Sequence, residues 1–217
     1  MNNIMRRQKP QKRKWRTKTF TGRNYRPYVT AIGQLTLVWN DFHEDLALLF
    51  IELLSNGCAY PATDIWSSSI YDRPKRAMLR AVIATDWNDF DSKYPKLVPD
   101  LTWLLNEADK LEDSRNDIVH SPLVFFGNDN VFAQQTGQVG RTVPSIAFGN
   151  RRALKLAKKD LLTEFRWCRD ASIVLRDFAG EIYEAVAACA AWPERPSLPN
   201  RGQKKTRQAR PPQAHSK

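Results

Sequence analysis

From Val29 onward the apolar positions fall into a helical rhythm. Ile32, Leu35, Trp39, Phe42, Leu46, Leu49 and Leu53 follow one another at alternating steps of three and four residues, one face of an α-helix lasting about six turns. Leu48, Phe50 and Leu54 widen that stripe, as a helix inside a bundle requires, and Asn56-Gly57 supplies a stop signal. A second helix is predicted from about Thr63 or Trp66 to Asp86, with Ile65, Ile70, Met78, Leu79 and Val82 on its apolar side. Pro74 lies inside that window, so it either kinks the helix or marks its true beginning. Asp86 to Pro99, with two prolines and three Asp among neighbouring polar residues, reads as a loop. A third helix is predicted from about Asp100 to Val119, faced by Leu101, Leu104, Leu105, Ala108, Leu111 and Ile118 and closed by Ser121-Pro122.

The rhythm then changes. Leu123-Val-Phe-Phe126 and Val131-Phe-Ala133 flank Gly127-Asn-Asp-Asn130, a β-hairpin pattern within an insertion spanning 121–150. A further strand is expected around Ser145–Phe148. A fourth helix follows from Lys159 to Cys189, with Leu162, Phe165, Ile173, Val174, Phe178, Ile182, Tyr183 and Val186 on its buried side. The predicted architecture is all-α: an antiparallel four-helix bundle over residues 29–192, with a β-hairpin inserted between the third and fourth helices.

Charge divides the chain differently from hydrophobicity. The net charge is +11. Residues 1–28 carry ten Lys/Arg and no Asp/Glu, and residues 193–217 carry seven Lys/Arg and one Glu. That leaves 17 basic against 22 acidic side chains for residues 29–192, a mildly acidic body between two basic tails. Both tails are too poor in apolar surface to offset ordering entropy and read as disordered. Arg6, Arg7, Lys12, Arg13, Lys14, Lys204, Lys205 and Arg207 are expected to contact RNA phosphates, the aromatics among residues 1–28 adding stacking.

Cysteine usage and targeting signals narrow the class. Cys58, Cys168 and Cys189 lack a paired spacing, so neither a disulfide framework nor a zinc site is expected. Residues 1–26 lack the apolar stretch of a secretory signal, and no run approaches the roughly 18 apolar residues of a membrane span. A cytoplasmic protein without membrane attachment is expected. No metal or other cofactor is expected: His215 lies in the tail, away from His43 and His120, and Asp86, Asp89 and Asp91 read as a solvated loop.

One constellation carries chemistry. The third helix ends Asp113-Ser114-Arg115-Asn116-Asp117-Ile118-Val119-His120. Asn116 and His120, four apart, share a face. Arg115 lies about 140° round the axis from His120, within reach of its long side chain. At a helix C-terminus the macrodipole favours a protonated ring, and Asp117 adds to that, which suits His120 to proton transfer. The Arg115 guanidinium presents a planar fork that matches phosphate oxygens. The same residues also suit a capping histidine with local ion pairs. Glu44 is either an auxiliary carboxylate or a solvent residue of the first helix, the latter being favoured, and His43 reads as exposed or capping.

Arg115, Asn116 and His120 resemble the Arg-x4–6-His motif of the HEPN superfamily, in which Asn, Asp or His commonly follows the Arg. Trp39-Asn40-Asp41-Phe42-His43-Glu44 with Gly33 is similar to the first helix of prokaryotic HEPN-like proteins. The resemblance covers roughly residues 29–190, and only the six-residue motif is specific. It implies a metal-independent endoribonuclease, a homodimer with a composite active site, that cleaves RNA by 2′-hydroxyl attack. A toxin or phage-defence role follows, with an antitoxin or nucleotidyltransferase partner. A non-catalytic helical module for dimerisation or nucleic-acid binding is the alternative, and a nucleotide-binding regulator a weaker one.

Overall fold

A computed structural model describes residues 23–55, 59–85, 90–126, 134–135, 140–145 and 150–201. The predicted partner strand at 131–133, the Asp86 and Asp89 positions, His215 and the tail cations between residues 1–22 and 202–217 lie outside the described residues. The chain is mostly helical: α1 (Arg26–Ser55), α2 (Ala59–Ser67), α3 (Asp72–Ala84), α4 (Phe90–Lys93), α5 (Leu97–Val119), α6 (Arg151–Leu156) and α7 (Leu161–Ala187). One small antiparallel sheet joins β1 (Leu123–Phe125) to β2 (Thr142–Pro144), with Val124 opposite Val143.

The apolar stripe of α1 is buried along its length, Leu35, Trp39, Phe42, Leu46, Leu49 and Leu53 all lying in the core. They meet Leu101, Leu104, Leu105 and Ala108 of α5 and Phe165, Leu175, Phe178 and Ile182 of α7 in a single hydrophobic cluster. The predicted second helix is two helices. Pro74 is the third residue of α3, where its missing N–H has no intrahelical partner to lose, so it marks a beginning. Pro99 occupies the same position in α5, which lets that helix start at Leu97 instead of Asp100.

That extra break changes the directions of the helices. α2 folds back along α1, Phe50 meeting Trp66, and α3 then rises beside α1 with Trp39 against Asp72 and His43 against Arg76. Arg73, Arg76 and Arg80 pair in reverse order with Asp113, Asp109 and Asn106, so α5 runs against α3. Gln34 meets Arg169, Asp41 meets Arg176 and Asp45 meets Gly180, a constant offset, so α1 and α7 are parallel. Relative to α1, the expected antiparallel arrangement therefore holds for α2 and α5, whereas α3 and α7 run parallel to it. The added α2 leg reverses the chain once more than a four-helix count allows.

The boundaries of the tails also move. Tyr25 is buried, and its hydroxyl accepts the Phe125 N–H at 2.8 Å, so the packed body starts before residue 29. Beyond α7 the chain turns at Cys189 (φ 50°) and runs without secondary structure to Arg201. The Asp100 carboxylate, 5% exposed, accepts Trp192 Nε1 at 2.8 Å and Arg195 Nε at 2.7 Å. Farther along, Trp167 Nε1 donates to the Pro199 carbonyl at 2.9 Å, and Arg201 pairs with Glu164. Residues 193–201 are thus a strap along the bundle, because a buried carboxylate requires charged or N–H partners. Asp100→Ala should release it. Cleavage after Glu194 by a glutamate-specific protease is expected to accelerate several-fold, with α7 still intact, and unchanged cleavage would count against this anchor.

Candidate functional site

The C-terminal end of α5, the start of α3 and α6 enclose a cleft of about 620 Å³. Arg115, Asn116 and His120 all line it, joined by Arg73 and by Arg152 of α6. The structure thus brings together the three residues that the motif picks out. His120 caps α5, its backbone N–H donating to the Asn116 carbonyl at 3.1 Å, while its side chain is exposed. Arg115 Nη1 donates to Asn116 Oδ1 at 3.0 Å, and its guanidinium lies 5.9 Å from the centre of the Trp39 ring. Arg115 Nε is buried without a hydrogen-bond partner among the described residues. A buried donor without a partner is uncommon, and this one belongs to a side chain that lines the cleft.

Beneath the cleft lies a polar network that the sequence reading did not contain. Arg76 is 0% exposed. Its Nε donates to Asp109 Oδ1 at 2.8 Å, and its Nη2 to Glu112 Oε2 at 2.6 Å. Its Nη1 reaches His43 Nε2 at 3.1 Å. Arg80 and Arg73 flank it, binding Asp109 and Glu112 in turn. Trp39 joins network and cleft: its Nε1 donates to Asp72 Oδ2 at 2.9 Å, and its ring lies 6.0 Å from the Arg76 guanidinium.

His43 is buried, which corrects the expectation of an exposed or capping residue. A carbonyl only accepts, so the 3.0 Å contact of Nδ1 with the Trp39 carbonyl places the proton on Nδ1. Nε2 then carries the lone pair that accepts from Arg76. Burial pushes the His43 pKa below the usual 6.5, Arg76 and Lys75 act in the same sense, and Asp72 and the Trp39 carbonyl oppose them. Burial opposes ionisation of Asp109, yet hydrogen bonds from Arg76 and Arg80 outweigh it and hold that carboxyl below the usual carboxylate range.

These shifts have a sign. With its folded pKa below the unfolded value, His43 binds a proton more readily in the unfolded chain, so stability falls as pH drops from 6.5 toward the folded pKa. His43→Gln keeps a donor for the Trp39 carbonyl and an acceptor for Arg76. Its Tm is expected to fall less steeply than the wild type's below pH 6.5, and parallel curves would contradict this role for His43.

The auxiliary residues separate. Asp117 is buried and pairs with Lys155 of α6 at 3.1 Å, so its carboxylate ties α6 to α5. Glu44 is exposed, the solvent position favoured from sequence. Among the described residues no group of three His, Cys, Asp or Glu is arranged to hold a metal ion, and no helix is long and apolar enough to cross a membrane.

No protein-family model matches the chain, and neither do curated proteins or solved structures. The assignment of chemistry therefore rests on the cleft itself. Of the residues missed from sequence, His43 had a signal: it lies four residues after Trp39, beside Phe42 and Leu46 on the buried stripe. Arg76 had the same signal, three residues before buried Leu79.

Proposed function

We propose that this cleft is half of a metal-independent endoribonuclease site of HEPN type. The observation that carries the reading is the convergence of Arg115, Asn116 and His120 on one cleft. Arg115 and Arg152 bind the scissile phosphate, and Asn116 holds Arg115 in place through its 3.0 Å hydrogen bond. His120 takes the 2′-hydroxyl proton, and the 2′-oxygen attacks phosphorus. The bond to the 5′-oxygen breaks, and that oxygen leaves with a proton. The products carry a 2′,3′-cyclic phosphate and a 5′-hydroxyl.

The chemistry of the step favours a pair of clefts. One imidazole cannot take a proton and give one in the same step, whereas the His120 of a second copy supplies the other role. Ile70 and Tyr71, 81% and 68% exposed, border the cleft and offer apolar surface for that copy to cover.

The test is incubation of the full-length protein with mixed-sequence RNA in EDTA, followed by analysis of product ends. Cyclic phosphate and 5′-hydroxyl ends are expected, with DNA of the same sequence left whole. Ends bearing 3′-hydroxyl and 5′-phosphate, or no cleavage of any RNA, would overturn the reading.

A further inference from the structure

The acidic composition of the body conceals a basic end. α1 and α7 are parallel, so their N-termini lie at the same end of the bundle. The C-terminal end of α5 lies there too, with β1, β2 and α6. Residues 141–169 hold eight Lys/Arg and two Asp/Glu. Both of those acids are committed, Glu164 to Lys159 and Arg201, and Asp160 to capping α7 through Thr163. The carboxylates of α1, Asp41, Glu44, Asp45 and Glu52, lie farther along its length, away from this end.

Two adjoining concavities run across that end. One of about 690 Å³ is lined by Arg23, Arg141 and Lys158, with the half-buried ring of Tyr28 beside them. The other, of about 410 Å³, shares Arg23 and adds Arg26 and Arg166. All five cations are exposed, and none has a carboxylate partner among the described residues. Unpaired cations gathered from four separate chain segments repel one another unless a polyanion lies among them.

We propose that this groove is a docking surface for the sugar–phosphate backbone of a single RNA strand. The cations line concave walls, which a flexible strand enters and a flat lipid surface does not. Tyr28 provides a ring edge for base contact. α6, about 9 Å long, separates the groove from the His120 cleft, with Arg152 facing the cleft and Lys158 the groove. A bound strand therefore continues over α6 to the cleft. Only that continuation rests on the ribonuclease reading; the docking itself does not.

The experiment uses the full-length chain carrying His120→Ala, so that bound RNA stays whole, and fluorescence anisotropy with a labelled single-stranded RNA across a salt series. Arg23→Gln/Lys158→Gln/Arg166→Gln removes three phosphate contacts. The slope of log affinity against log salt should fall by about 2, at about 0.7 per contact for a single strand. Lys93→Gln/Lys96→Gln/Lys110→Gln removes equal charge away from the groove and should leave the slope near that of the parent. Equal losses in the two triple variants would overturn the proposal, as would phosphatidylserine vesicles competing with RNA phosphate for phosphate. Cleavage is measured in parallel on chains with His120 intact. Groove-dependent binding without cleavage leaves the docking surface standing and removes the ribonuclease reading. Cleavage that requires His120 but ignores the groove substitutions does the reverse.

Discussion

Replacing Arg76 with Ala is expected to cost about 3 kcal/mol of stability, the lower part of the range for removing one partner of a buried ion pair. For a chain of this size that is roughly 6–12 °C of melting temperature. Arg76 is fully buried and answers three groups at once: Asp109, Glu112 and His43. Without it, Glu112 keeps Arg73 and Asp109 keeps Arg80, which holds the loss toward the lower bound. His43 keeps only its contacts to Trp39 and Asp72. Arg73→Ala is the comparison: its side chain is 61% exposed, so solvent screens its ion pairs and the loss is much smaller. Thermal unfolding of the two variants at neutral pH checks the difference. If Arg76→Ala melts with Arg73→Ala, the buried network does not hold α1, α3 and α5 together.

How much of this was legible depends on what each signal measures. The α1 stripe was readable because one buried residue every three or four positions persists through most of the helix. The same reading discarded His43 and Arg76, since a stripe drawn from apolar residues alone omits polar side chains that are buried because partners on other helices satisfy them. Pro74 permitted two outcomes, and only the packing of Trp66 on Phe50 selects the break. The strap was hidden by its composition. Three prolines and two arginines read as disorder, while Trp192 and Arg195 find their shared partner, Asp100, more than 90 residues earlier.

The candidate site shows the same division. Arg115, Asn116 and His120 are local in sequence, and a helix end places them together. Arg73 and Arg152 come from α3 and α6 and required the tertiary fold. The charge count of residues 29–192 was correct as a sum, yet a sum has no geometry. Parallel α1 and α7 gather the basic stretch at one end and leave the acids along the rest.

His120→Ala is the second large effect. A positioned acid–base group contributes about 10²–10⁴ to rate, so RNA cleavage should fall by that factor. Stability should not follow it down, because the His120 side chain is exposed and makes no hydrogen bond among the described residues; only its backbone N–H is engaged, and alanine retains that. Arg115→Ala differs. It removes the proposed phosphate contact and also the contacts to Asn116 and Trp39, so a modest loss of stability should accompany the loss of rate. The comparison that bears most directly on the cleft is therefore the rate of RNA cleavage in EDTA by wild type and by His120→Ala, with their melting temperatures matched. Cleavage by the wild type and a fall of at least about a hundredfold in the variant is the predicted result; equal rates in two equally folded proteins would contradict it.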